Sequence, residues 1–286
     1  MAFLTSIFLC LSAFGATAET AAPDVANFQV VEATINDIQQ ALLSRQLTSV
    51  QLVNLYLQRI KAYNGTCVNE PQGILGPVTT IPHAGQINAL MTLNLRPARR
   101  IALGFDMHHA RSQTDLSDDD GAMLDALEFA SKLDRFVAMT GRLVGPLHGV
   151  VFAIKDQYDT YDMRTTSGAT AFYANDRPPT DATVVQRLRA AGAIILAKAN
   201  MGEYASGGRS GWGGTNCNVY DTQRASGGSS AGSGTAVSAN LVTCAIGEET
   251  GGSILNPSRN NGIVGIPPTR ELVSASGMIQ QGLNTR

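Results

Sequence analysis

What the 286-residue sequence has little of is charge, aromatics, histidine and cysteine. Charged residues make up 15% of the chain, 21 basic against 23 acidic, for a formal net charge of −2. That balance gives no electrostatic reason to expect nucleic acid or an anionic membrane as a partner. Four cysteines are present, and their spacing is not that of a zinc site. The four histidines, His83, His108, His109 and His148, all precede the Gly/Ser-rich region that dominates the later part of the chain. Chemistry that needs a histidine after its serine is therefore excluded there. The apolar run at residues 3–14 is too short to span a bilayer. There is no internal repeat and no low-complexity tract. The 44% hydrophobic content is that of a globular protein, and the length suits one large domain or two small ones.

The first twenty residues, MAFLTSIFLCLSAFGATAET, look like a secretory signal. Ala16-Thr17-Ala18 forms an A-x-A cleavage site, so a cut near Ala18/Glu19 is expected. This divides the chain into a signal peptide at 1–18 and a domain at 19–286, secreted or exported. The stretch before the apolar run lacks Lys and Arg, which departs from the usual pattern. Cys10 would leave with the signal, and Cys67, Cys217 and Cys244 would remain. One disulfide plus one free thiol is compatible with that odd number, with the pairing open. Asn64-Gly65-Thr66 is a glycosylation sequon.

Residues 34–61 read as two helices. Thr34 can cap the first, whose stripe is Ile35, Ile38, Leu42 and Leu43; Thr48 or Ser49 can cap the second, with Val50, Val53, Leu57 and Ile60 inward. Residues 63–120 are irregular. His108-His109 and Asp118-Asp119-Asp120 invite a metal site, but adjacent histidines cannot face one point on a helix or strand, so a solvated loop is expected. A helix resumes at 125–136. Residues 150–154, VVFAI, form a buried-strand pattern with Lys155 at its C-terminal end, where α/β sheets bind ligands. A helix capped by Thr180 or Asp181, with Val184, Val185 and Leu188 inward, ends at Gly192 before a second buried strand at 193–197. Strand, helix, strand argues for an α/β fold with parallel strands. Residues 263–266 suggest a further strand, ended by Pro267-Pro268.

The chain centres on residues 226–253, SGGSSAGSGTAVSANLVTCAIGEETGGS. Val237, Leu241, Val242 and Ile246 between the glycines distinguish it from a linker. Three chemistries compete for it. A phosphate loop would need a G-K-[ST] that is absent. An α/β-hydrolase would use Ser230 within Gly228-Ser229-Ser230-Ala231-Gly232, but no histidine follows it. A Ser/Lys arrangement needs no histidine. Its lysine must be neutral, which burial promotes, and Lys155 at the end of an apolar strand is suited to that. The turn Thr250-Gly251-Gly252-Ser253 can offer backbone N–H groups to an oxyanion.

The blocks GPLHGVVFAIKD (145–156), TTSGA (165–169), GGTNCNVYD (213–221), SGGSSAGS (226–233), GEETGGSILNPS (247–258) and GIVGIPPTRELVSASGMI (262–279), in that order, resemble the amidase signature family. The resemblance implies a mixed central sheet flanked by helices, with an N-terminal helical hairpin. It implies a Ser–cis-Ser–Lys triad: Ser253 as nucleophile, Ser229 as bridging serine after a cis peptide, and Lys155 as base. Thr250, Gly251 and Gly252 would serve the oxyanion, and Ser230 would support the network. The implied reaction is hydrolysis of a small-molecule amide through an acyl-enzyme, with no metal or organic cofactor. The alternatives are a glutaminase like the one within tRNA-dependent amidotransferases and an inactive fragment. Glu249 stands where the family commonly has Asp, and Leu255 where it has Arg. The insert near 107–120 is also a departure. Family members continue well beyond this point, so the C-terminal part of the fold is expected to be missing and the 286-residue chain weakly active or inactive.

Overall fold

The computed structural model describes residues 28–65, 67, 87–170 and 176–279. The signal expected at 1–18 and its cut near Glu19 lie outside the described residues.

Two N-terminal helices form as their caps predict. In α1 (Ile35–Leu43), Thr34 Oγ1 accepts the Asp37 N–H and Asp37 returns a carboxylate to the Thr34 N–H. In α2 (Ser49–Tyr63), Thr48 and Gln51 make the same reciprocal pair. Each box satisfies donors that a helix start would leave open. Asp134 of α4 (Ala126–Thr140) also accepts the N–H groups of Ser49 and Val50, docking its charge on the positive end of α2.

The central sheet runs β1 (Leu90–Leu93), β3 (Ile194–Ala199), β2 (Val151–Lys155), β6 (Cys244–Ile246). The pairs β3/β2 and β2/β6 are parallel, while β1 is antiparallel to β3. The sheet is thus mixed. The parallel α/β unit read from the sequence is its centre, with α5 (Thr183–Ala190) as the crossover. One face carries Val151 and Ala153 into a core with Ile38, Leu52, Tyr56 and Leu133 of the N-terminal helices and α4. The other carries Val150, Phe152 and Ile154 against Val185 of α5. A short antiparallel ribbon of β4 (Arg209–Ser210) and β5 (Gly214–Thr215) forms a separate sheet. No helix among the described residues is long and apolar enough to cross a membrane.

Several expectations are corrected. The irregular stretch 63–120 holds β1 and α3 (Pro97–Ala102). α5 is capped by neither Thr180 nor Asp181; it starts after Ala182, because the Asp181 carboxylate binds the Tyr161 N–H and Arg189. Residues 263–266 form no strand; Val264 and Ile266 are 86% and 79% exposed, with no described strand beside them. The loop at 107–120 is not simply solvated. Asp118 is buried between Arg111 and Arg177, and His108 stacks on Trp212. Asn64, the sequon asparagine, is buried, with its side chain bonded to both backbone groups of Leu90. Cys67 and Cys217 form a disulfide, and Cys244 is a free thiol.

Candidate active site

Alternation along β2 puts Lys155 on the same face as Val151 and Ala153. That face also receives α6 (Ala231–Ser238), the helix that follows the first Gly/Ser cluster. α6 is made of small residues because it lies close to the sheet. A Cβ on Gly232 would fall 2.2 Å from the Ala89 carbonyl oxygen and 2.4 Å from the Asn200 nitrogen. This close approach, rather than a nucleophile turn, accounts for the G-x-S-x-G match. Gly228 is constrained likewise: a Cβ there would lie 2.0 Å from the Gly207 oxygen. The Gly228–Ser229 peptide is cis.

The strand β6, parallel to β2 and in register with it at Ile154/Ile246, returns the chain to the same end of the sheet. The second Gly/Ser cluster therefore meets the first. The Ser230 N–H donates to the Ser253 carbonyl at 3.1 Å. The Ser230 hydroxyl bonds both the N–H and the carbonyl of Glu248, at 3.1 and 3.2 Å. Ser230 thus pins two loops together.

Three predicted residues come together in a line. Lys155 Nζ donates to Ser229 Oγ at 2.8 Å, and Ser229 Oγ is 3.0 Å from Ser253 Oγ. Lys155 and Ser229 are buried, while Ser253 is half-buried at the mouth. Burial disfavours the Lys155 ammonium, and the nearby Glu248 and Glu249 carboxylates partly restore it. The net result is a pKa lowered from 10.5 to about 8.

The oxyanion expectation is corrected at one residue. Glu249 folds its carboxylate over the turn that opens α7 (Leu255–Asn260), accepting the N–H groups of Gly252, Ser253, Ile254 and Leu255. The Gly252 N–H therefore points at Glu249 and is not free for a substrate. Among the described residues, the N–H groups of Thr250 and Gly251 meet no protein acceptor, and both residues are exposed. Burial alone would raise the Glu249 pKa, but the four N–H donors lower it overall. Leu255 is 51% exposed.

Sequence reasoning missed Glu248. Its Oε2 lies 3.0 Å from Lys155 Nζ, and its other oxygen accepts the Thr250 hydroxyl. The signal was two adjacent acids in a loop otherwise built of small residues, two positions past β6.

Among the described residues, no group of three His, Cys, Asp or Glu side chains is placed to hold a metal. A cavity of about 690 Å³ runs along the free edge of β6, lined by Tyr158, Val237, Cys244, Ile246, Ile254 and Pro257 among others. Ser253 does not line it, so it lies beside the hydroxyl line rather than over it.

A sequence profile described as Amidase matches residues 121–285, more than half of the chain. The A subunit of the glutamyl-tRNA(Gln) amidotransferase from Heliobacterium modesticaldum is 43% identical over 157 residues, covering 54% of this chain and 32% of the relative. Its counterpart from an Azoarcus species is 34% identical over 252 residues, covering 87% and 41%. The crystal structure of a peptide amidase from Stenotrophomonas maltophilia superposes with a TM-score of 0.67 at 35% identity, covering 87% of this chain and 42% of that one. The chain thus spans about two fifths or less of the length of these relatives.

Proposed function

The chain belongs to the amidase signature family, and on that premise we propose that it carries the machinery to cleave the carbon–nitrogen bond of an amide through an acyl-enzyme on Ser253. The observation that carries this reading is the unbroken line from Lys155 through Ser229 to Ser253, with links of 2.8 and 3.0 Å.

The polarity of that line depends on Lys155. An ammonium donates to Ser229 and leaves Ser229 donating to Ser253, which withholds the proton acceptor that Ser253 needs. A neutral amine accepts instead. Hydroxyl hydrogens rotate freely, so the line then reverses: Ser253 gives its proton to Ser229 as Ser229 gives one to Lys155. Ser253 Oγ attacks the carbonyl carbon, and the N–H groups of Thr250 and Gly251 are the donors left to receive the developing oxyanion. The proton held by Lys155 returns through Ser229 to the leaving nitrogen, and the C–N bond breaks. Water repeats the sequence on the ester and releases the acid. A fluorophosphonate probe tests this. It should label Ser253 in the folded chain, and Ser253→Ala should abolish labelling. Labelling of another residue, or none, would overturn the reading.

A second reading is a glutaminase like the amidotransferase components named above, supported by their 43% and 34% identity. Release of ammonia from glutamine but not from other amides would favour it.

Export is part of the proposal. It is supported by the apolar run before Ala16-Thr17-Ala18 and by the Cys67–Cys217 disulfide, a bond that persists in oxidising compartments. Sequencing the mature N-terminus tests it: Glu19 is expected.

A further inference from the structure

Among the described residues, Lys155 Nζ has two side-chain partners, Ser229 Oγ and Glu248 Oε2. Glu248 is itself held firmly. Ser230 fixes its backbone at both N–H and carbonyl, and Thr250 fixes its second carboxylate oxygen. Its side chain is 10% exposed and that of Lys155 is fully buried, so water screens the pair weakly. Such a carboxylate does two things to an amine. It aims the nitrogen, and it favours the charged form over the neutral one.

We propose that Glu248 is a positioning residue of the proton relay, which fixes Lys155 Nζ against Ser229 and sets the pH at which the relay becomes competent. This inference rests on the triad reading above.

The other groups facing Lys155 do not substitute for Glu248. Glu249 comes from the same loop, but its carboxylate is turned onto the start of α7. Tyr158, on the turn after β2, bonds the Gly247 carbonyl and stays protonated because burial, and then Glu248, push its pKa up. Lys198 and Asp156 lie on the opposite face of the sheet, since Lys198 is in register with Ile154 and not with Lys155. From α6 and the loop before it, the facing groups are the serine hydroxyls. Glu248 is therefore the one charge in hydrogen-bond contact with the base among the described residues.

The chemistry balances without any added reactant. With the pair ionised, Lys155 carries the proton and Ser229 can only accept from it. Loss of that proton to solvent leaves the amine lone pair aimed at Ser229, still held by one N–H on Glu248. A neutral carboxamide at 248 keeps an oxygen for that N–H but removes the charge that retains the proton.

The test measures the rate of fluorophosphonate labelling of Ser253 against pH, on the full chain, for wild type, Glu248→Gln and Glu248→Asp, with unfolding temperature recorded for each. Removing an adjacent opposite charge lowers an amine's pKa, so in Glu248→Gln the acidic limb should move down by about one to three pH units. Glu248→Asp keeps the charge but draws it back by one carbon, and its midpoint should fall between the two. If Glu248→Gln does not fold, the Asp variant alone decides. A midpoint equal to that of wild type in a folded variant overturns the inference and leaves the triad intact. Loss of labelling at every pH in folded Glu248→Gln also overturns it, since the carboxamide oxygen keeps the contact that aims the amine. No labelling of wild type removes the triad reading and this inference together.

Discussion

Lys155 and Lys198 are both fully buried on adjacent parallel strands, yet they stand on opposite faces of the sheet. An irregularity in register between Phe152 and Ala153 pairs Lys198 with Ile154 and Lys155 with Ala199. Lys155 therefore faces the serines. Lys198 faces the Tyr158 and Arg164 carbonyls, the Thr165 hydroxyl and Asp156, and is satisfied on all sides. Two buried lysines thus have different consequences when removed.

Lys198→Met should unfold the protein more easily and leave the hydroxyl line untouched. It strands the buried Asp156 carboxylate, a loss of about 3–5 kcal/mol for breaking a buried ion pair. Lys155→Met should abolish Ser253 labelling whatever its effect on the unfolding midpoint, since it too removes an ion-pair partner, that of Glu248. Denaturant melts together with probe labelling separate the two. Equal destabilisation by both, with equal loss of labelling, would contradict the assignment of opposite faces.

Labelling or turnover should rise with pH through about 8, the range to which burial brings Lys155. The sign follows from the relay, which needs the neutral amine. The same shift acts on stability. The folded state gives up this proton near pH 8 and the unfolded chain near 10.5. Burial of Lys155 therefore disfavours folding in full below about pH 8, and the penalty fades as pH rises to the free-lysine range. A pH–rate profile whose acidic limb lies near pH 5 or below would place the base elsewhere.

Ser229→Ala should slow acylation by about 10²–10⁴-fold, the range of a lost general acid–base step. The unfolding temperature should change little, because a hydroxyl is removed without filling or emptying the core. Ser230→Ala should act differently: it unpins Glu248 from α6 and lowers stability as well as rate. Comparing rate with melting temperature for the two variants checks the distinction.

The core was legible where local chemistry is self-sufficient. Thr34 and Thr48 begin helices because each has its capping partner three residues on. VVFAI followed by Lys155 announces a buried strand with a charge at its ligand end. The histidine order removed Ser230 as a nucleophile, but Ser229 and Ser253 were named only by the resemblance of their blocks to the amidase signature family. What stayed hidden depends on distant partners. β1 is four residues whose one mate among the described strands, β3, begins about a hundred positions later. Asp118 reads as a solvated acid until Arg177 arrives from a distant segment to join Arg111 of its own loop. Glu248 gains its meaning only when β6 pairs with β2.

Glu249→Ala should lower both stability and rate. It leaves the N–H groups of Gly252, Ser253, Ile254 and Leu255 without their acceptor, at a cost of about 1–3 kcal/mol for charge-assisted bonds lost at a half-buried turn. The folded-state pKa of Glu249 is lowered, so its contribution is present above the free-Glu range and is lost as pH falls through the folded value. The wild-type stability advantage over Glu249→Ala should therefore shrink in acid. An advantage that stays constant with pH would show that the carboxylate's charge is not what holds the turn.

The free edge of β6 makes a prediction about the 286-residue chain itself. Among the described strands, β6 pairs only with β2, and its outer side opens on the cavity of about 690 Å³. Val264 and Ile266 line it, 86% and 79% exposed, and Leu272, further along the same segment, is 71% exposed. A strand edge next to exposed apolar side chains binds dyes and other strands readily. The purified chain should enhance the fluorescence of anilinonaphthalene sulfonate and self-associate as concentration rises. Replacing Val264, Ile266 and Leu272 together by serine should reduce both effects. Stability should be little changed, since these side chains bury little area. Dye binding unaffected by the triple substitution would locate the sticky surface away from β6.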